Sequence, residues 1–195
     1  MRPRTDERKE RIRDVLSRRQ PDLTLVLNDI HDPHNVSAIL RSCDAFGVAG
    51  VELLYRNCVF PHLGKKSSGS AKKWVRIERR DSPADLAGAL RARNMTIIAT
   101  ACTPKARPLY DWDFTGPTAI ILGNEHGGVD EDLAPHTDGE LYIPMQGMVQ
   151  SLNVSVAAAI ILYEAFRQRR AKGLYDRPGL SEAEREELFQ AWIVK

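Results

Sequence analysis

Three short segments hold the residues whose types and spacing suit them to chemistry. The first, Asp32-Pro33-His34-Asn35-Val36-Ser37, opens a helical pattern that carries Arg41. Asn35 reads either as a plain helix N-cap or as a polar group of a reaction centre. Arg41 reads either as a solvated residue paired with Asp44 or as a guanidinium offered to a phosphate. The second segment, Leu122-Gly123-Asn124-Glu125-His126-Gly127-Gly128-Val129, sets a carboxylate and an imidazole in glycine-rich backbone. Glycines there permit unusual backbone angles and close approach of a ligand, although an ordinary turn would use the same residues. The third segment runs from Ile143 through Pro144, Met145, Gly147 and Met148 to Ser151-Leu152-Asn153-Val154-Ser155. It leads into an apolar helix whose first N–H groups are suited to a ligand's carboxylate or adenine edge. Met145 and Met148 read as a soft apolar wall or as gap-filling core, and Ser151 or Asn153 as a simple cap.

Several other chemistries lack their signatures. No strand is followed by GxGxxG and no Walker-A sequence occurs, so neither a dinucleotide site nor an NTPase is supported. Cys43, Cys58 and Cys102 form no CxxC pair and read as small buried hydrophobes in a protein of the reducing cytoplasm. The sequence offers no metal site. No apolar run reaches the roughly 18 residues of a membrane span, and Met1 is followed by charge rather than a signal-peptide core.

The elements that must position these segments follow from periodicity. Apolar β-prone runs at Leu23–Leu27, Val51–Tyr55, Trp74–Ile77, Thr96–Ala99, Thr118–Leu122 and Glu140–Ile143 alternate with helical patterns. Val36–Phe46 and Pro83–Arg93 are amphipathic, and Asn153–Arg170 is apolar almost all round in its first half. Such a helix lies in the core or is covered by another subunit. The alternation predicts an α/β fold, with a mainly parallel sheet and helices on both faces. A polar helix from Thr5 to Arg19 and a last helix opened by Ser181 and Glu184 bracket this unit. Their thin apolar stripes are expected to pack together.

The net charge of +2 hides basic clusters at Arg2–Arg19, at Lys65 to Arg80 and at Arg167–Lys172. Three such clusters on a near-neutral chain are the footprint of a polyanion partner, although any one alone reads as a solvated helix face.

Asn35 and Arg41, the segment 121–129 and the segment 143–155 resemble, in order and spacing, the three motifs of the SPOUT RNA methyltransferases. The resemblance spans about residues 21 to 172, and the contiguous Ser-Leu-Asn-Val-Ser is its most specific part. The basic first helix, and Gly173-Leu174-Tyr175-Asp176-Arg177-Pro178 before the last, make the chain similar to the TrmH family. That family methylates the ribose 2′-hydroxyl of guanosine 18 in the tRNA D-loop.

The resemblance implies a deep trefoil knot in the C-terminal half, a homodimer, S-adenosylmethionine (SAM) as cofactor and tRNA as partner. It divides the chain into a basic helical extension (1–20), a methyltransferase domain (21–172) and a C-terminal helical extension (173–195). Carried over by position, Thr100, Ala101, Gly123, Ile143, Ser151 and Leu152 would hold SAM, and Asn35, Arg41, Glu125, Ser151 and Asn153 would form the catalytic or site-organising set. Whether His126 has a role stays open. So do two other functions: ribose methylation of rRNA, and a non-catalytic RNA-binding module. The absence of room for a dedicated RNA-binding domain favours tRNA.

Overall fold

In a computed structural model of the chain, residues 5–63, 71–125 and 127–195 are described. Arg2, Arg4, Lys65, Lys66 and His126 lie outside them. Helix α1 (Asp6–Ser17) precedes β1 (Gln20–Asn28), α2 (Pro33–Ala45), β2 (Val48–Leu54) and β3 (Arg76–Arg80). Then come α3 (Pro83–Ala92), β4 (Thr96–Thr100), β5 (Arg107–Pro108), β6 (Thr118–Leu122), β7 (Gly139–Tyr142), α4 (Val154–Ala171) and α5 (Glu182–Ile193). The described strands form one sheet of seven in the order β3-β2-β1-β6-β4-β7-β5. Every pairing in it is parallel. The expectation of a mainly parallel sheet with helices on both faces holds.

Alternation along β1 divides the core. Leu23, Leu25 and Leu27 face α2 and α4, packing on Val36, Ile39, Leu40, Ala158, Ile161 and Leu162. Val26, on the opposite face, joins Ile97, Ala119 and Ile121 under Leu86 and Leu90 of α3. The central strands are therefore apolar on both faces, as buried parallel strands must be.

Two strand readings change. The third strand is expected at Trp74–Ile77 but lies at Arg76–Arg80, paired from Gly50↔Arg76 to Leu54↔Arg80. Trp74 and Val75 instead close a tight turn on the carbonyl of Ala71. The Trp74 ring stacks edge-on against Trp192, with centroids 5.0 Å apart. A charged strand is tolerated at the sheet's edge, and Arg80 is also held by the buried carboxylate of Glu52 at 2.7 Å. The two-residue β5 at the other edge left no periodic signal.

The stripes of the terminal helices meet as expected: Ile12 and Leu16 pack on Phe189 and Trp192, with Trp74 against them. Beneath this pair Arg19 is buried. It donates to the carbonyl of Val48 at 3.0 Å, pairs with Asp44 and lies 5.2 Å from the Trp192 ring centroid.

At the far end of α4, Arg169 is fully buried. Its guanidinium donates to the Phe114 and Gly116 carbonyls at 2.8 Å each, to Gln20 Oε1 at 3.0 Å and to Asp22 Oδ1 at 2.6 Å. It thus fixes the end of α4 to the start of β1 and to the segment before β6. Arg169→Met fills the space but strands these acceptors, so we expect a stability loss of about 3 kcal/mol. The measurement is urea unfolding, with a lower midpoint and an unchanged m-value.

Candidate active site

The C-terminal ends of β4, β6 and β7 open onto one cavity of about 590 Å³. This is where an open parallel sheet with a reversal of strand order places its ligands. Its apolar wall includes Leu122, Leu141, Ile143, Met145, Leu152 and Ile161, and Asn124, Glu125, Ser151 and Asn153 supply polar groups. The volume is in the roughly 300–1,000 Å³ range of small-molecule sites.

The strands' outgoing loops fold onto each other. Gly123 is obligatory because a Cβ there would stand 2.1 Å from the Gly128 carbonyl carbon. The close approach that glycine permits is thus by the loop's own backbone. Asn124 and Gly128 exchange backbone hydrogen bonds at 2.8 and 3.0 Å, with Gly128 at φ +72°. Farther along, Asp130 N donates to Asn28 Oδ1 at 2.9 Å, and Arg56 bridges Asp130 and Asp132.

Helix α2 brings Asn35 to this loop. Its N-cap is Asp32, whose carboxylate accepts from His34 N at 2.8 Å, with Pro33 in the first helical position. Asn35 is therefore relieved of the capping role that sequence allowed it, and its nearly buried amide is used elsewhere. Asn35 Nδ2 donates to Glu125 Oε1 at 2.8 Å, and Asn35 Oδ1 accepts from Asn153 Nδ2 at 3.0 Å. Asn153 also caps α4, accepting from Ser155 N at 2.9 Å.

Partial burial opposes ionisation of Glu125. The hydrogen bond from Asn35, together with backbone N–H groups of Glu125 itself, His31 and Asp32, outweighs it and holds the carboxyl below the usual carboxylate range. Glu125 is thus a stable anion at neutral pH and a weak base.

All six residues expected to hold SAM line the cavity: Thr100, Ala101, Gly123, Ile143, Ser151 and Leu152. So do Glu125, Ser151 and Asn153 of the catalytic set, and Asn35 is joined to two of them. Arg41 is exposed on α2 and is not part of the lining. The pairing with Asp44, one of its two readings, does not form, and Asp44 pairs with Arg19. Among the described residues, nothing hydrogen-bonds or ion-pairs with Arg41.

Met145 forms wall, whereas Met148 is 99% exposed. Only Cys43 is the buried hydrophobe foreseen, its thiol pushed up to about 12 by burial. Cys58 is half-buried beside Asp29, and Cys102 is exposed at the cavity rim. Asn124 lies in the glycine-rich segment already singled out, whereas Cys102 and Tyr142 line the cavity without having been read as site residues.

Residues 22–163 match the SpoU rRNA Methylase family. The chain is 46% identical to a Thermus thermophilus tRNA (guanosine(18)-2′-O)-methyltransferase over 195 residues, 100% of both chains. The crystal structure of the Aquifex aeolicus TrmH/SpoU tRNA modifying enzyme is 39% identical, with a TM-score of 0.91 over 97% of this chain and 96% of that one. The methyltransferase AviRb of Streptomyces viridochromogenes, solved in complex with AdoMet, is 29% identical, with a TM-score of 0.66 over 80% of this chain and 62% of its own. A parallel sheet with its cavity at the strand ends, three motifs in place and similarity over the full length agree: the chain belongs to the SpoU methylase family.

Proposed function

We propose that this protein transfers a methyl group from SAM to the ribose 2′-hydroxyl of guanosine 18 in tRNA. The observation that carries the reading is the Glu125–Asn35–Asn153 hydrogen-bond chain at a cavity of cofactor size. The full-length relatives supply the target. SAM brings a methyl group already activated on a sulfonium sulfur, so the residues must hold the cofactor, align the hydroxyl and allow its proton to leave.

Thr100, Ala101, Gly123, Ile143, Ser151 and Leu152 would hold SAM in the cavity they line. Asn35 and Asn153 present fixed amides at the rim. Glu125 orients Asn35 through the hydrogen bond it accepts from the amide. The carboxylate oxygens accept from Asn35 Nδ2 and the His31 N–H, and the hydroxyl proton leaves with the help of Glu125 or solvent. Arg41 anchors an RNA phosphate and thereby positions the ribose.

Basic groups suited to the tRNA backbone extend outward from α1. Arg8 and Arg11 are exposed on this helix, which packs on α5. The end of α5 reaches the segment carrying Lys72 and Lys73, where Lys195 Nζ donates to the Lys73 carbonyl at 2.6 Å. The reading keeps 21–172 as the catalytic unit, with 1–20 and 173–195 as extensions that build this surface.

It also includes the knotted topology of the SPOUT fold, which is consistent with β6 lying between β1 and β4 while α4 returns against α2. Val156, Ile160 and Tyr163 leave an apolar stripe on α4, being 47%, 37% and 56% exposed. A second copy of the chain is assigned to that stripe. No described helix is long and apolar enough to cross a membrane, and the site of action is assigned to the cytoplasm.

The direct test is methyl transfer from labelled SAM to a tRNA transcript, followed by mapping of the modified nucleotide. Label on the ribose of guanosine 18 is expected, and label elsewhere or none refutes the assignment. For assembly, Ile160→Asp should convert a sedimenting dimer into an inactive monomer or aggregate, because pairing would bury an uncompensated charge. A fully active monomer would remove the dimer from the reading.

Arg41→Lys should lose most turnover while SAM affinity survives, since a point charge replaces the planar fork. Its residual single-turnover rate between about pH 6 and 10 should follow the wild-type profile. If Arg41 were itself the base, lysine would bring its lower pKa into that profile and move the rising limb toward lower pH.

A further inference from the structure

The loop between β1 and α2 and the loop after β6 are joined by more than the Asn35–Glu125 bond. Asn124 Nδ2 donates to the Asp29 carbonyl at 2.8 Å and lies 2.9 Å from His31 Nδ1. Asn124 Oδ1 accepts from Gly127 N at 3.2 Å, so the amide cannot turn over without losing both other partners. Its nitrogen has hydrogens only to give, so His31 Nδ1 must be the unprotonated acceptor, with the ring proton on Nε2.

A protonated imidazole would set N–H against N–H at this contact. The bond therefore exists only with neutral His31. The backbone N–H of the same residue reaches Glu125 Oε2 at 3.5 Å, and Glu125 holds Asn35.

We propose that the His31–Asn124 hydrogen bond is a pH-sensitive latch that positions Glu125, and through it Asn35 and Asn153, for methyl transfer. His31 and Asn124 are positioning residues, since neither is assigned to the reacting atoms.

The groups around His31 are specific. On the β6 side are Asn124 and the Glu125 carboxylate. On its own loop are the Asp29 carbonyl and Asp32, whose carboxylate is turned to His34 N. On the β2 side Tyr55 donates to the Ile30 carbonyl at 2.9 Å, and the Asp29 carboxylate faces the N–H groups of Arg56, Asn57 and Cys58. Glu125 ionises below the usual carboxylate range, so it does not change charge between pH 6 and 8. A proton on Nδ1 would remove the acceptor, so loss of the latch on acidification is assigned to His31.

The inference rests on the methyl-transfer reading, and its test separates the two. Single-turnover methylation of a tRNA transcript at saturating SAM is compared at pH 8 and pH 6 for wild type, His31→Ala and His31→Asn. Asparagine sets an amide oxygen near the place of Nδ1 and cannot be protonated. His31→Ala should lose about three- to tenfold at pH 8, the worth of one ordinary hydrogen bond, with unchanged SAM affinity. His31→Asn should recover that rate and show a smaller drop from pH 8 to pH 6 than wild type.

A wild-type rate in His31→Ala at pH 8 would overturn the latch, as would a wild-type acid drop in His31→Asn. The position is exposed, so neither variant should unfold the chain, and equal thermal midpoints would verify this. If wild-type protein transfers no methyl group at all, it is the functional reading that fails.

Discussion

An amide side chain carries a donor and an acceptor on one rigid plane, and the site is assembled around a single amide that uses both. Asn35 gives its N–H to Glu125 and its oxygen to Asn153, joining segments 90 and 118 residues away in sequence. Neither partner is interchangeable with the other, since the carboxylate can only accept and the Asn153 nitrogen can only donate. That polarity fixes the amide's orientation. It also demands that α2 be capped by another residue, which Asp32 does, and that Asn153 serve α4 with its oxygen and Asn35 with its nitrogen. Aspartate or serine at 153 could still cap the helix, but could not offer the same amide nitrogen.

The geometry of this chain depends on helices being held at their distant ends. Helix α4 starts at Asn153 and ends in the Arg169 cluster. Rotation or sliding of α4 by a fraction of an ångström at one end therefore meets resistance at the other. Burying a guanidinium is costly, and the cost is offset only because carbonyls, an amide oxygen and Asp22 together occupy its donors. Arg19 shows the same economy with less completeness, as its Nε remains without a partner.

What the sequence made legible followed from local rules. The central strands are continuous apolar runs, the helices carry caps and a period of 3.6, and the cavity-lining residues cluster at strand ends. What it hid was decided by competition, in some cases between neighbours and in one between distant partners. Asn35 satisfies the composition rule for an N-cap, yet Asp32 with Pro33 begins the helix earlier. Trp74 looks like a strand residue, but its ring packs against Trp192, 118 positions later. Cys102 is at the cavity rim only because β4 ends one turn of chain before it. For Trp74 no window of neighbouring residues contains the deciding partner, whereas the Asp32-Pro33 cap and the end of β4 at Thr100 are local signals that the sequence reading passed over.

The same competition bears on Arg41. An arginine three residues from Asp44 on one helix would ordinarily form an ion pair, and such a pair would compete with any phosphate. Here Asp44 pairs with Arg19 instead, and Arg19 is itself covered by Trp192 on α5, opposite Ile12 and Leu16 of α1. Packing of the terminal helices thus reaches the reaction region through a short electrostatic path. It seals Arg19 from water, which strengthens the hold on Asp44 and leaves the Arg41 guanidinium to solvent. The terminal extensions therefore contribute more than basic surface. They cover the arginine that pairs with Asp44, while Arg41, on the same helix as Asp44, stays exposed.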